Sequence, residues 1–294
     1  MKLSEDIVIS GKKAMARSYA KINLTLDVMG KRTDGYHLIE TIMQTVNLSD
    51  IIVVQTHNNG IKITTNKKYL PSNNKNIAYK AAELFFNELN EKRYGAKILI
   101  HKNIPVAAGL AGGSGNGAAV LVALNMLYSN PFSEEKLLEI GAKLGADVPY
   151  CMIGGTQSAS GIGEILRPVK ALSKQYILLV TPPISVSTPW VYEEFDSIQK
   201  SIFPDTQAMI SAIEKDNYKE ICSNLSNVLE EVTIKKYPVI GGIKEKMLLN
   251  GANGALMSGS GPTVFGFFDD FNKAKASQDS FSMMYKDVYL TTTL

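Results

Sequence analysis

Between Asn103 and Tyr128 the chain reads NIPVAAGLAGGSGNGAAVLVALNMLY: an apolar run stops at a proline, gives way to five glycines, and resumes at helical spacing. No charged residue occurs from Pro105 to Asn125. A glycine ordered inside regular structure costs about 0.5–1 kcal/mol relative to alanine, so five of them at a strand-to-helix junction need a reason. One explanation is a mobile Gly/Ser linker. The other is a backbone cradle for an anion, because N–H groups without a neighbouring Cβ approach closely and the following helix adds unpaired donors and its positive dipole end. An uncharged junction with a helix leaving it is an odd place for a hinge, and the cradle accounts for both features.

Two familiar cradles fail on context. No Gly-Lys-Ser/Thr follows, so this is not a Walker A loop. Gly113-Ser114-Gly115-Asn116-Gly117-Ala118 fits the dinucleotide spacing, but Glu134 and Glu135, at the required distance, open a helix instead of ending a second strand.

Around the junction, ARSYAKINLTLDVMG alternates strictly, with Ile22, Leu24, Leu26 and Val28 on one face and Lys21, Asn23, Thr25 and Asp27 on the other. That predicts a half-buried strand. KRTDGYH carries a turn signal, and IIVVQTH, IKITTN, AKILIHKNIPV, QYILLVTPP and the two halves of ALMSGSGPTVFGFFDD read as further strands. Helical spacing marks NIAYKAAELFFNELNEKR up to about Gly95, residues 117–129, SEEKLLEIGAKLG between Ser133 and Gly145, most of 188–237, PVIGGIKEKMLLNG and FNKAKASQDSFSMMY. A Gly/Ser-rich passage leads to Pro168. Strands and helices interleave without a repeat, which is an α+β pattern, with a boundary expected near residue 168.

With 294 residues, 45% of them hydrophobic and 20% charged, the chain buries a proper core in one large domain or two. A net charge of +3 without a dense basic block suits a small anionic ligand better than nucleic acid. Cys151 and Cys222 form no disulfide framework and point to a reducing compartment, while His37, His57 and His101 lack metal-ligand spacing. No apolar run approaches the length of a membrane span, so a soluble cytoplasmic protein is expected, a monomer or a homodimer.

The motif P-x-x-x-G-L-x-G-G-S-x-N from Pro105 to Asn116 resembles the phosphate-binding motif of the GHMP kinases. The segments Ala20 to Asp50, Gly145 to Glu164 and Met257 to Phe268 are similar, in the expected order, to the branch of that family whose substrate is 4-diphosphocytidyl-2-C-methyl-D-erythritol. The resemblance implies a two-domain fold. A ribosomal protein S5 domain 2-like N-terminal nucleotide-binding domain would cover 1–168 and a ferredoxin-like domain 169–294. It also implies transfer of the γ-phosphoryl of ATP to the 2-hydroxyl of that small-molecule substrate.

A hydroxyl is a poor nucleophile at neutral pH and gains from a carboxylate that receives its proton, with cations or dipoles spreading the phosphoryl charge. Asp147 matches the family's base and Lys21 its ammonium. From the residues alone, Asp147 could cap a helix and Lys21 could be a solvated strand lysine. The ATP positions implied are Pro105, Gly109, Leu110, Ala111, Gly112, Gly113, Ser114, Gly115 and Asn116. Asn76 and Lys102 would lie at the adenosine, although an exposed strand-end lysine also explains Lys102. Mg2+ is expected with ATP, held largely through phosphates and water and not by a protein cage.

Tyr36 and Tyr192 match stacking positions for the pyrimidine, His37 the residue on the cytosine edge, and Asn23 and Thr188 polar contacts to the erythritol and diphosphate. Gly259 and Gly261 fit a tight turn. The chain departs from the family's pattern at Ala111 (a glycine), Gly115 (a second serine) and Gly117 (an alanine), leaving Ser114 as the loop's hydroxyl. These departures raise a second reading, a non-catalytic nucleotide- or ligand-binding relative, against which Lys21 and Asp147 speak. A third, a kinase for homoserine or mevalonate, gives no reason for aromatics at 36 and 192. No basic or aromatic stripe supports RNA binding.

Overall fold

The computed structural model describes residues 2–90 and 95–294. After a short 3-10 turn, Leu3–Asp6, come β1 (Val8–Ser10), β2 (Lys13–Lys31), β3 (His37–Thr56), β4 (Gly60–Thr65), α1 (Ile77–Leu89), β5 (Gly95–His101), α2 (Gly112–Leu127), α3 (Glu134–Leu144) and α4 (Asp147–Ile153). Next are β6 (Thr156–Ser160), β7 (Ile165–Pro168), β8 (Tyr176–Thr181), α5 (Thr188–Phe195), α6 (Thr206–Glu214), α7 (Tyr218–Ser223) and β9 (Ser226–Asn227). The chain closes with α8 (Glu230–Lys236), α9 (Pro238–Leu249), β10 (Gly254–Met257), β11 (Val264–Phe268), α10 (Phe271–Ser282) and β12 (Asp287–Thr292).

These elements form two packing units, neither contiguous. One holds Met1–Ala20, Leu48–Val106 and Ala111–Gly154; the other holds Lys21–Asn47, Ala107–Leu110 and Gly155–Leu294. In the first, β1 pairs antiparallel with β2, β5 antiparallel with β3, and β4 parallel with β5. Alternate strand residues point inward: Ile52, Val54, Ile63, Ile98 and Ile100 are buried with Phe85 and Phe86 of α1 and Val120, Leu121 and Leu124 of α2. Burying side chains of this size contributes about 1.5–3 kcal/mol each.

Helix α3 follows the sequence closely: the Ser133 side chain accepts from the Lys136 N–H, and the helix stops at Gly145. Helix α1 ends earlier than its periodicity suggests. Asn90 turns left-handed at φ 55°, and its N–H bonds back to Asn87 and Phe86 carbonyls. The rest of that expected helix, 91–94, lies outside the described residues. Helix α2 begins at Gly112, not Gly117, so the later glycines are helical.

In the second unit an antiparallel sheet in the order β10-β11-β8-β12 is set by pairs such as Leu256↔Phe265, Phe265↔Leu179 and Tyr289↔Leu179. Leu178, Val180, Val264 and Phe268 pack with Ile240, Ile243 and Met247 of α9 and Phe281 of α10. The unit's share of β2 pairs parallel with β9, and its share of β3 carries the antiparallel β6–β7 hairpin. Helix α4, that hairpin and β12 had no clear signal in the sequence. The half-buried expectation for β2 is corrected as well: Lys21 is only 5% exposed, and Asn23, Thr25 and Asp27 are buried beside it. Hydrogen bonds make this tolerable, since Thr25 Oγ1 accepts from the Ile42 N–H and Lys200 pairs with Asp27.

Candidate active site

In the first unit the later part of the glycine segment, from Gly112 on, becomes the first turns of α2. Its N-cap, Ala111, is left-handed at φ 53°. The first helical N–H groups have no partner within the helix, and Gly113 is exposed there beside the half-buried Ser114. Packing explains three of the glycines. A Cβ on Gly112 would lie 2.6 Å from Lys102 Nζ and 2.9 Å from Ile104 Cγ2. One on Gly115 would collide with Ser18 Oγ, and one on Gly117 would press Ile77 Cγ1 at 3.3 Å. Gly113 meets only Ile77 Cγ2 at 3.7 Å, an ordinary contact. Ser18 Oγ is itself buried with no hydrogen-bond partner among the described residues.

Lys102 is 4% exposed, which overturns the solvated alternative, and pairs with the fully buried Asp50. Asp50 Oδ1 accepts the N–H groups of Asn103 and Ile104, each at 2.8 Å. With the Asn116 amide turned to satisfy both its atoms, Nδ2 donates to Gly112 O at 2.9 Å and to Asp50 Oδ2 at 2.8 Å. Burial pushes the Lys102 ammonium pKa down, against the opposing pull of Asp50. Asp50 was not singled out from the sequence; its only signal was a carboxylate directly before the apolar IIVV. Asn76 caps α1, its Oδ1 accepting from Ala78 N at 3.0 Å while Nδ2 donates to Pro71 O at 2.8 Å. Asp147 is the first residue of α4 and half-buried; the cap position itself belongs to Ala146.

In the second unit a continuous polar network surrounds Lys21. Its Nζ donates to Asn23 Oδ1 at 2.7 Å, Asn23 Nδ2 to Thr41 Oγ1 at 2.9 Å, and Thr41 Oγ1 to Thr25 O at 2.5 Å. The Lys21 backbone N–H donates to Leu110 O at 3.2 Å. The Ser258-to-Gly261 turn lies alongside. Ser258 Oγ donates to Gly109 O at 2.9 Å, and a Cβ on Gly109, whose φ is 75°, would strike Ser258 O. Gly259 and Gly261 have φ of 57° and 90°, a conformation that glycine adopts at no steric cost. Asn227 Nδ2 donates to Met257 O and Gly259 O, each at 2.8 Å, and Thr188 Oγ1 lies 2.8 Å from Ser260 Oγ. The structure therefore gathers Lys21, Asn23, Gly109, Leu110 and Thr188 around one turn.

A second cluster in this unit joins His37 and Tyr192, whose rings stack at 4.9 Å and 25°. His37 Nε2 is 2.6 Å from Asp196 Oδ1, and Lys31 Nζ is 2.6 Å from Asp196 Oδ2. Those two bonds, Lys31's first, hold the Asp196 carboxyl below the usual carboxylate range. Tyr36 stands 60% exposed. The sequence reading missed Lys31 and Asp196, because only the fold brings residues so far apart in the chain together. Among the described residues no three His, Cys, Asp or Glu side chains group as a metal cage, and no helix is long and apolar enough to cross a membrane.

Residues 76–155 match the family described as GHMP kinases N terminal domain, and residues 209–287 match GHMP kinases C terminal. A 4-diphosphocytidyl-2-C-methyl-D-erythritol kinase of Clostridium botulinum (strain Alaska E43 / Type E3) is 48% identical over 278 residues, 95% of this chain and 99% of that relative. One of Clostridium perfringens (strain ATCC 13124) is 49% identical over 283 residues, 95% of this chain and 97% of the relative. A crystal structure of 4-(cytidine 5'-diphospho)-2C-methyl-D-erythritol kinase superposes with a TM-score of 0.79 at 30% identity, covering 95% of this chain and 98% of that one. The chain belongs to the GHMP kinases, and within them to the 4-diphosphocytidyl-2-C-methyl-D-erythritol kinase family.

Proposed function

We propose that this chain transfers the γ-phosphoryl of ATP to the 2-hydroxyl of 4-diphosphocytidyl-2-C-methyl-D-erythritol, the substrate in its relatives' name. The observation that carries the mechanism is the buried Lys21 ammonium, aimed by Asn23 and tied through its backbone to the glycine segment at Leu110. A desolvated ammonium interacts with phosphoryl charge far more strongly than one in water.

In this reading Lys21 stabilises the charge on the phosphoryl in flight, and Asp147 receives the proton of the attacking hydroxyl. The amides from Gly109 to Asn116, with Pro105 setting the entry, hold the triphosphate at the start of α2, and Asn76 and Lys102 shape the adenosine end. Magnesium fits a donor set of phosphate oxygens with the half-buried Ser114 hydroxyl; when bound, it neutralises phosphate charge. Asn23 and Thr188 contact the erythritol and diphosphate, and Tyr36, His37 and Tyr192 the cytosine. The functional division near residue 168, with nucleotide handling in 1–168, belongs to the same reading. So does a cytoplasmic setting, supported by two cysteines, Cys151 and Cys222, neither of which is in a disulfide.

The test is turnover by purified Lys21→Ala and Asp147→Asn. Each is expected to lose at least about 10²-fold in kcat while its circular dichroism and melting stay near wild type. Near-wild-type kcat in either variant removes that residue from the mechanism.

A further inference from the structure

Asp196, the C-cap residue of α5, divides its two oxygens between different partners, Oδ2 toward Lys31 Nζ and Oδ1 toward His37 Nε2. A carboxylate only accepts hydrogen bonds, and the lysine beside it helps keep this one ionised. His37 Nε2 therefore carries a hydrogen. In the neutral ring Nδ1 is then left bare, an acceptor. The Tyr192 ring stacked on the imidazole face restricts its rotation, so tautomer and orientation are fixed together. The His37 side chain is only 9% exposed, which limits competition from water for whatever it recognises.

We propose that Asp196 is a positioning residue that sets nucleobase specificity: it holds the proton on His37 Nε2 so that Nδ1 accepts from the exocyclic amine of cytosine. A uracil presents an oxygen acceptor at the same place, and two acceptors facing each other repel. The inference rests on the reading that cytosine lies beside His37. It adds to that reading the groups that make a histidine choose between the two bases.

Asp196→Asn tests it by inversion. Lys31 has only donors, so the new amide turns its oxygen to Lys31 and its NH2 to His37, forcing Nε2 to accept and moving the proton to Nδ1. Steady-state kinetics with the cytidine-diphosphate substrate and its uridine counterpart should show kcat/KM for the cytidine compound falling about 10- to 100-fold, chiefly through KM, with no fall for the uridine compound. Nitrogen NMR of the chain's three histidines should find the neutral His37 ring's proton on Nε2 in the wild type and on Nδ1 in the variant.

Adding Lys31→Met frees the amide to turn its oxygen back to His37 and should restore most of the cytidine preference. Asp196→Ala, which leaves the ring unheld, should shrink discrimination without inverting the tautomer. Equal losses on both substrates, an unmoved proton, or a further loss in the double variant overturns the proposal. So does a wild type that uses both bases equally well. A wild type inactive on the cytidine substrate overturns instead the reading beneath it.

Discussion

Residue by residue, burial decides more than identity. Lys21 has an ordinary lysine's place in an alternating strand, yet its ammonium is enclosed and oriented by Asn23. Ala111 is the opposite case, an unremarkable residue in a costly conformation. A left-handed alanine costs about 1–2 kcal/mol that glycine does not pay sterically, while glycine's greater freedom when unfolded returns part of this. Ala111→Gly should therefore raise unfolding stability by about 0.5–1 kcal/mol in urea titration, and no change or a loss would contradict the strain. Cys222 gives a pH expectation. Burial pushes its thiol pKa up from 9.0 to about 11. The folded value lies above the unfolded one, so the stability linked to the protonated thiol is complete below pH 9 and lost as pH rises through 11. Native chain at pH 8 should accordingly leave Cys222 unalkylated, and rapid labelling there would contradict its burial. A period of two told which side chains share a face of β2. It carried no information about what covers that face, which is why the alternation alone predicts a half-buried strand while Lys21, Asn23 and Thr25 are in fact buried.

At the scale of elements, packing constrains most of the glycines from Gly112 to Gly117. Gly112, Gly115 and Gly117 are required by neighbours in their own unit, whereas Gly113 has room for a methyl group. Gly115→Ala should destabilise by about 1–3 kcal/mol through Ser18 Oγ, and Ser18→Ala should recover most of that loss in a double-mutant cycle. Gly113→Ala should be near neutral in stability. Additive losses in the first pair would place the strain elsewhere. Helix α3 was legible because Ser133 and Gly145 are local signals, and the β8 and β10–β11 strands because their apolar runs are short and bounded. The start of α2 was not legible: four glycines in its first turns lower helix propensity, and the helix forms there with Lys102 and Ile104 packed against Gly112 and with Asn116, in the helix itself, bonded to Gly112 O and to Asp50.

For the whole molecule, the α+β class followed from interleaved elements, but which stretches pack together did not. Leu26, Val28 and Ile39 lie far before residue 168, yet they are buried with Leu178, Val180 and Val228. A fragment 1–168 should consequently expose those side chains and fail to give a cooperative thermal transition; a sharply melting fragment would contradict this description of the core. The family resemblance likewise rests on motifs spread across the chain in the expected order. The central claim concerns one reaction, and ADP release measures it directly. Purified chain given ATP and magnesium should turn over 4-diphosphocytidyl-2-C-methyl-D-erythritol and leave mevalonate and homoserine essentially untouched. Binding of the cytidyl compound without ADP release, or faster turnover of either other alcohol, would contradict the account.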